Sequence, residues 1–597
     1  MRIRIVLGIF FAVWIAILVR VYYISIKSNA YYEEIAKQNV VKVEELAPLR
    51  GLILDRNHNP LSVNKLGFSI RLKPQLSLKN NRHIMEQEIE YLASVLPDIT
   101  VKEMTKEYLK LDSPYNHDFV EVVSFISYDK LVASFAKISQ RENLKIQIAS
   151  KRYYPHGSLA SHIIGYVGKS NAQDIAEDSL AKLVGFSGKT GIEKYYNAVL
   201  QGTKGEKKTK VTAFNQEVEQ LSKQLPTSND VILSLDLELQ RYISTIFGDD
   251  SGAVVVMNVK TGEILAAASF PEYDLNKFVT GISQEEWSKL ASDLNHPFTN
   301  KLVNGLYPPG SIIKMGVGLA ILNTGIISPS TLIESTGTME LGGRLFRDWK
   351  KEGHGMIDYA RAIKESCDDY FYKTSLKVGI DNIAPFLLKI GLGQKTGIDL
   401  PREFIGIVPS REWKKERYRK GWSQGETLIS SIGQGYFLVT PIQISKYMAF
   451  LATGNGVTPH FIQKINDVPM EYPIETDIVT PEQKRFLKVT REGMYQVLNQ
   501  PGGTGFSHIK MQSPIKLAGK TGTAQVVGLS QTDKKRAREE DMAYYERSHA
   551  WLAAYGPYEN PQYAVSVLVE HGGHGGSEGG PIVSKVFDKL FEMGYIK

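Results

Sequence analysis

The hydrophobic pattern changes character several times along this 597-residue chain. Ile5 to Val19 carries no charged residue. With Arg20 reaching out along its methylene stem, the apolar stretch runs from Ile3 to Ile26, long enough to cross a bilayer. Tyr22 and Tyr23 fall where aromatic rings favour the membrane interface, and Arg2 and Arg4 hold the N-terminal end on the cytoplasmic side. A cleaved leader ending at Ser28-Asn29-Ala30 is the competing reading, but Arg20, Tyr22 and Tyr23 suit an uncleaved anchor better. Tyr31 to Val43 then has amphipathic helical spacing. Pro48 to Ser62 reads as strand, turn, strand, with Asn57, Asn59 and Pro60 at the turn. Residues 70 to 150 are mixed, charged and helix-rich, and Arg152 to Lys210 is punctuated by glycine. The polar stretch Lys223 to Asp230, with Pro226 inside it, predicts a linker.

Beyond that stretch the pattern predicts a strand at Val231–Leu235 and a helix at Glu238–Phe247. An apolar hairpin follows, Ala253–Val259 and Glu263–Ala268, turning at Lys260-Thr261-Gly262. Helical spacing dominates Gly316 to Ala452. Strands return at Ile515–Ala518, Thr523–Val527, Ala550–Tyr555 and Tyr563–Glu570. A hairpin, a helical block and further strands predict an α+β fold with one antiparallel sheet and helices packed on it. No fixed-period repeat is present.

Composition narrows the function classes. The length calls for more than one core. A hydrophobic share of 43% and a charged share of 23% are those of a globular protein. A net charge of +7 is too small over this length for a nucleic-acid protein. The basic clusters, Lys204–Lys210 and Lys534-Lys535-Arg536 with Arg538, lie in polar stretches and predict solvated loops. The single cysteine, Cys367, excludes an intrachain disulfide framework.

The candidate chemistry starts at Tyr307-Pro308-Pro309-Gly310-Ser311-Ile312-Ile313-Lys314, a loop breaking into an apolar helix. Ser-x-x-Lys occurs seven times in the chain, usually on a solvated face, but only Ser311 opens a buried helix. There Lys314, one turn on, can be desolvated and serve the hydroxyl as a base. Ser366-Cys367-Asp368 follows a helical stretch, Met356–Glu365, and could project a hydroxyl and a carboxylate into a cleft. Lys-Thr-Gly occurs four times, and the copy at Lys260 is the hairpin turn. Only Lys520-Thr521-Gly522-Thr523 is framed by apolar strand on both sides, where a lysine with flanking hydroxyls can receive a carboxylate.

Taken in order, Ser311-x-x-Lys314, Ser366-x-Asp368 and Lys520-Thr521-Gly522 resemble the serine penicillin-recognising family. Arg50-Gly51-Leu52-Ile53-Leu54-Asp55-Arg56 is similar to the opening of the pedestal of class B penicillin-binding proteins. Ser431-Ile432-Gly433-Gln434-Gly435 with Thr440-Pro441 resembles a segment of their transpeptidase domain. Asp368, where division-type members carry Asn, resembles the elongation type, as do Tyr307-Pro308-Pro309-Gly310 and Arg347-Asp348-Trp349-Lys350.

The resemblance implies the penicillin-binding fold, an antiparallel sheet with helices on both faces, on an elongated α+β pedestal. It divides the chain into a cytoplasmic tail (1–4), a transmembrane anchor (5–26), a periplasmic pedestal (27–230, with a head at about 70–150) and a transpeptidase domain (231–597). It implies a peptidoglycan D,D-transpeptidase with ping-pong kinetics, residual carboxypeptidase activity and sensitivity to β-lactams. Ser311 is then the nucleophile and Lys314 its base. Ser366 relays a proton and Asp368 orients that loop. Lys520, Thr521, Gly522 and Thr523 receive the stem-peptide carboxylate, with the backbone N–H groups of Ser311 and Thr523 as the oxyanion hole.

Cys367, His354, Asp348 and Glu334 are residue types that ligate zinc, but their spacing matches no zinc-finger pattern, and a lone Cys is ordinarily a small buried hydrophobe. The resemblance implies a structural zinc on Asp, Asp, His and Cys, with Glu334 standing where the first Asp is expected. It further implies two partners, a SEDS-family glycosyltransferase and a periplasmic elongation scaffold. Four alternatives are a division-type class B protein, a β-lactamase, a penicillin-sensing receptor and a non-catalytic cell-wall scaffold. The pedestal and anchor argue against a β-lactamase. No His-Glu-x-x-His is present for a receptor protease, and the intact motifs argue against a scaffold.

Overall fold

A computed structural model describes residues 2–27, 41–96, 98–116, 118–211, 217–279, 281–527 and 539–597. Two compact units are distinguished, one of residues 1–51, 170–186 and 198–229, the other of 52–169, 187–197 and 230–597.

In the smaller unit the helix Arg2–Tyr22 continues as a wider turn over Tyr23–Lys27. Ile3–Ser25 is long and apolar enough to cross a membrane. The expected helix Tyr31–Val43 falls outside the described residues up to 40, and Val41–Leu46 is a strand. That strand pairs antiparallel with Gly205–Val211, which pairs in turn with Glu217–Gln224. The basic run Lys204–Lys210 is therefore mostly strand rather than solvated loop. Two of its lysines pair with carboxylates, Lys207 with Glu217 at 3.0 Å and Lys208 with Glu206 at 2.8 Å. Lys223 and Gln224, predicted as linker, belong to the third strand. The second basic cluster, 534–538, lies outside the described residues.

The larger unit holds two cores. In the first, the long strand Pro60–Leu72 pairs with Val120–Ser127 and with Leu144–Tyr153. The helices Arg82–Val95, Val101–Leu111 and Tyr128–Ser139 close over it with Ile70, Leu72, Ile89, Leu92, Met104 and Tyr108. Strand Ile53–Leu54 turns into Pro60–Leu72, as its Asn-rich turn predicts. The turn is tied by Asp55 Oδ1, which accepts the N–H groups of Asn57 (2.8 Å) and Asn59 (2.7 Å).

The second core is a five-stranded antiparallel sheet, β1 (Gly252–Asn258), β2 (Ile264–Phe270), β3 (Ala518–Ala524), β4 (His549–Gly556) and β5 (Tyr563–Val569), in the order β2-β1-β5-β4-β3. β2 and β5 are buried along their whole length, because helices cover both faces. The helices Leu237–Phe247 and Gly575–Glu592 pack together against the sheet, which also carries Pro441–Thr453. β3 is an edge strand. It replaces the two strands expected at 515–518 and 523–527, because Lys-Thr-Gly-Thr lies inside the strand and Gly522 stays extended.

The block from 316 to 452 is mainly helical, but two short antiparallel ribbons interrupt it between Ile333 and Ile357, and residues 391–410 form a long loop. Gly337, Gly342, Gly343, Gly353 and Gly355 all have positive φ there, which breaks the helical reading. The helix predicted at 356–365 is accordingly a strand, Gly355–Ile357, followed by a helix only over Tyr359–Lys364.

Candidate active site

Three segments from distant parts of the sequence converge at the free edge of β3. The first is a 3₁₀ turn, Gly310–Ile313, running into the buried helix Lys314–Asn323. Its approach depends on glycine. A Cβ on Gly522 would lie 3.0 Å from Ile312 Cγ1 and 3.1 Å from Pro309 O, and one on Gly310 would lie 2.8 Å from Thr523 O. Ser311 is half-buried beside the strand, and Lys314 is fully buried.

The second segment is the turn Ser366-Cys367, which leads into the helix Asp368–Val378. Ser366 has φ 56°, a left-handed conformation that β-carbon residues rarely adopt. The turn is held by the N–H groups of Ser366 and Cys367 on the carbonyls of Ile363 and Ala362 (3.2 and 3.0 Å). Asp348 Oδ2 accepts the first N–H groups of the following helix, Asp368 (2.7 Å) and Asp369 (3.0 Å), so a carboxylate caps its positive end.

The polar groups meet at Ser366. Lys314 Nζ donates to Ser366 O (2.7 Å), to Asp368 Oδ1 (2.7 Å) and, at 3.4 Å, to Ser366 Oγ. Lys520 Nζ donates to the same Oγ at 2.8 Å and to Thr521 O at 3.0 Å. Among the described residues these contacts of Lys314 do not include Ser311 Oγ. Lys520 is completely buried. Burial, reinforced by the Lys314 charge, holds its amine well below the usual lysine range, against the opposing pull of Asp368. The structure thus brings Lys314, Ser366, Asp368 and Lys520 into one hydrogen-bonded chain, with Ser311 and Thr523 on the adjoining backbone.

Two contacts had no signal in the motifs. Thr504 Oγ1 pairs with Thr521 Oγ1 at 2.8 Å, and Gln434 Nε2 donates to Thr523 O at 3.1 Å. Gln434 lies in a segment singled out from the sequence. Thr504 lies in a Gly-rich loop with no pattern that points to a cleft.

Of the four expected metal ligands the structure gathers three. Asp348, His354 and Cys367 are buried, and their donor atoms lie within 4.8 Å of one another. Glu334 does not join them. It sits on the strand Ile333–Ser335, whose alternation turns Ile333 and Ser335 inward and Glu334 into solvent. Ser335 instead faces the cluster and accepts the His354 N–H at 3.2 Å. His354 Nε2 lies 3.1 Å from Asp348 Oδ1, and Nδ1 lies 2.8 Å from Glu365 Oε2, a carboxylate behind a histidine as at many metal centres.

Burial, with the Asp348 charge adding to it, pushes the Cys367 thiol up to about 12. Burial also acts to raise Asp348, but the His354 hydrogen bond and backbone N–H groups outweigh it and bring the carboxyl down to about 2. The donor set fits a zinc ion, whose charge would stabilise the thiolate that burial opposes.

An edge strand bearing Lys-Thr-Gly, packed on a Ser-x-x-Lys turn with a Ser-x-Asp loop between them, is the layout of the serine penicillin-recognising fold. Residues 45–233 match the penicillin-binding protein dimerisation domain, and residues 252–592 match the penicillin binding protein transpeptidase domain. The chain belongs to the class B penicillin-binding proteins, the transpeptidases that carry this dimerisation domain. It is 36% identical over 592 residues to the peptidoglycan D,D-transpeptidase MrdA of Escherichia coli (strain K12), covering 96% of this chain and 91% of that protein. It is similar to the penicillin-binding protein PBP2 of Helicobacter pylori, solved in complex with MreC, at 43% identity and a TM-score of 0.86, covering 93% of this chain and 99% of that one. A third relative is Pseudomonas aeruginosa PBP2 in complex with WCK 5153, at 30% identity and a TM-score of 0.69, covering 92% of this chain and 96% of that one.

Proposed function

We infer that this chain is an elongation-type peptidoglycan D,D-transpeptidase that crosslinks stem peptides through an acyl-enzyme on Ser311 and is a target of β-lactams. One observation carries the reading: a single buried hydroxyl, Ser366 Oγ, receives hydrogen bonds from the Nζ groups of both motif lysines beside a serine set against an edge strand.

The free edge of β3 takes the donor peptide as an added extended strand, with its terminal carboxylate at Thr521, Thr523 and Lys520. Ser311 Oγ attacks the penultimate D-Ala carbonyl carbon. The oxyanion forms against the backbone N–H groups of Ser311 and Thr523, each worth about 3 kcal/mol in the transition state. Lys314 takes the hydroxyl proton. Ser366 Oγ, bonded to both amines, joins Lys314 to Lys520, whose burial favours the neutral amine, and is the path by which the captured proton moves on. The amide C–N bond breaks as Ser366 returns a proton to the leaving D-Ala nitrogen. A side-chain amine of a second stem peptide then attacks the ester and restores Ser311. Water in its place gives the residual carboxypeptidase reaction.

Asp348, His354 and Cys367 would hold a structural zinc, which supplies no step of this chemistry. The same Asp348 carboxylate caps the helix that starts at Asp368, so the ion would brace the Ser366 turn from behind. The apolar N-terminal helix serves as a single-pass anchor, with its basic end in the cytoplasm and the bulk of the chain in the periplasm. Glycan polymerisation falls to a partner, a SEDS-family glycosyltransferase, a reading supported by the likeness at 27% identity to a chain solved in a peptidoglycan synthase complex that coordinates polymerization and crosslinking. A periplasmic elongation scaffold is a second partner, a reading supported by the complex of the Helicobacter pylori relative with MreC. Labelling with a fluorescent penicillin tests the central claim. Wild type labels and Ser311→Ala does not; equal labelling of the two overturns the acyl-enzyme.

A further inference from the structure

Behind the nucleophile turn lies a carboxylate that this chemistry does not use. Glu570 follows the central strand β5, and its N–H donates to Ser251 O at 2.7 Å. Its Oε1 accepts Tyr307 Oη at 2.6 Å, and its Oε2 accepts Ser251 Oγ. Lys301 Nζ lies 3.7 Å from Oε2 and is itself fixed by the carbonyls of Phe270 and Asn295, both at 2.7 Å. Lys301 is 2% exposed, Ser251 1% and Tyr307 6%. Both oxygens of the half-buried Glu570 carboxylate are thus engaged by buried partners, and a polar network so connected is rigid.

Tyr307 stands four residues before Ser311, at the start of the Pro-Pro-Gly approach. The rest of that approach is tied at the backbone. Tyr307 and Val439 exchange N–H and C=O at 3.0 and 2.9 Å, Trp551 Nε1 donates to Pro308 O at 3.1 Å, and the Gly310 N–H donates to Gly433 O at 2.9 Å. The Tyr307 ring stands edge-on to Trp551 and His549. The Glu570 bond locks that ring from its far end and connects the approach to the middle of the sheet.

We propose that Glu570 is a positioning residue for the nucleophile, acting through Tyr307, with Lys301 and Ser251 holding the carboxylate in place. The proposal rests on the acyl-enzyme reading above. Without the bond the ring can rotate and the Tyr307–Gly310 segment relaxes, carrying Ser311 off its line to the acyl carbon.

The test is stopped-flow acylation of the full chain in detergent by a fluorescent penicillin, separating the limiting rate from the half-saturating concentration. Wild type, Tyr307→Phe, Glu570→Gln and the double variant are compared. Each single change lowers the limiting rate by roughly tenfold, since a sub-ångström misplacement acts on the chemical step. The half-saturating concentration stays within about twofold, because no substrate contact is lost. The double variant is no slower than the slower single one, because both remove the same bond. A wild-type limiting rate in Tyr307→Phe, losses that multiply in the double variant, or an effect confined to half-saturation each overturn the proposal. Tyr307→Phe leaves Lys301 and Ser251 paired with Glu570, so it decides the question alone if Glu570→Gln does not fold. Failure of the wild type itself to acylate refutes the acyl-enzyme instead.

Discussion

Gly433 offers the sharpest test of how the cleft is assembled. It has φ 74°, and its carbonyl receives the Gly310 N–H at 2.9 Å. A Cβ at this position would lie 2.3 Å from Gly310 O, where real contacts lie beyond 3 Å, so one backbone must retreat by roughly 1 Å in Gly433→Ala. Gly310 has little room to yield, since it is itself close against the Thr523 backbone. The left-handed φ adds about 1 kcal/mol of strain, and the overlap costs a further ~1–3 kcal/mol of stability. The larger effect falls on chemistry. Displacing the residue before Ser311 by that distance lowers acylation on the order of 100-fold, about 2.7 kcal/mol in the barrier.

Gly435→Ala is the matched control. Its φ is 73°, and its Cβ meets Ile429 Cγ2 at 2.9 Å, a side chain that can rotate away. Acylation by fluorescent penicillin, measured well below the melting temperature of each variant, should show Gly433→Ala far slower than Gly435→Ala. Equal acylation rates in the two variants would refute the claim that this backbone contact sets the nucleophile.

A second prediction concerns pH. Burial raises the Glu272 carboxyl to about 7, against the Ala160 N–H (2.6 Å) and Ser244 Oγ (3.2 Å), which lower it. The folded chain then keeps a proton that the unfolded chain releases from pH 4.5 upward, so this site loses stability as pH rises from 4.5 to 7 and regains none above it. Glu272→Gln should match wild type near pH 4 and exceed it by ~1–2 kcal/mol at pH 8 in denaturant unfolding; a pH-independent difference would contradict the assignment. For the metal cluster, elemental analysis should find zinc in the wild type and none in Cys367→Ser. A chelator should lower the melting temperature of the first and leave the second unmoved. Equal zinc content in both proteins would remove Cys367 from the ligand set.

Much of this protein follows from local sequence. The apolar N-terminal helix, the Asn-rich turn after Leu54, the hairpin at Lys260-Thr261-Gly262 and the strands β4 and β5 are all legible from periodicity and turn chemistry, because each is decided by residues within a few positions of one another. The motifs Ser311-x-x-Lys314, Ser366-x-Asp368 and Lys520-Thr521-Gly522 are legible in the same way, since each is a short segment with a distinctive neighbourhood.

What the tertiary structure decided is how those segments are spent. Lys314 has its hydrogen bonds on Ser366 and Asp368, a pairing across 52 and 54 residues that one-turn spacing from Ser311 does not foretell. Ser335, not Glu334, faces the Asp348–His354–Cys367 cluster because a three-residue strand turns Glu334 outward, in a region where five glycines with positive φ defeat a helical reading. Thr504 and Glu570 carry no local signal at all, and they matter only because distant backbones close on the edge strand and behind the nucleophile turn. Periodicity records which face of an element is buried. It holds no record of which buried polar groups will meet, because that depends on long-range packing, where the low dielectric makes every partnered charge count.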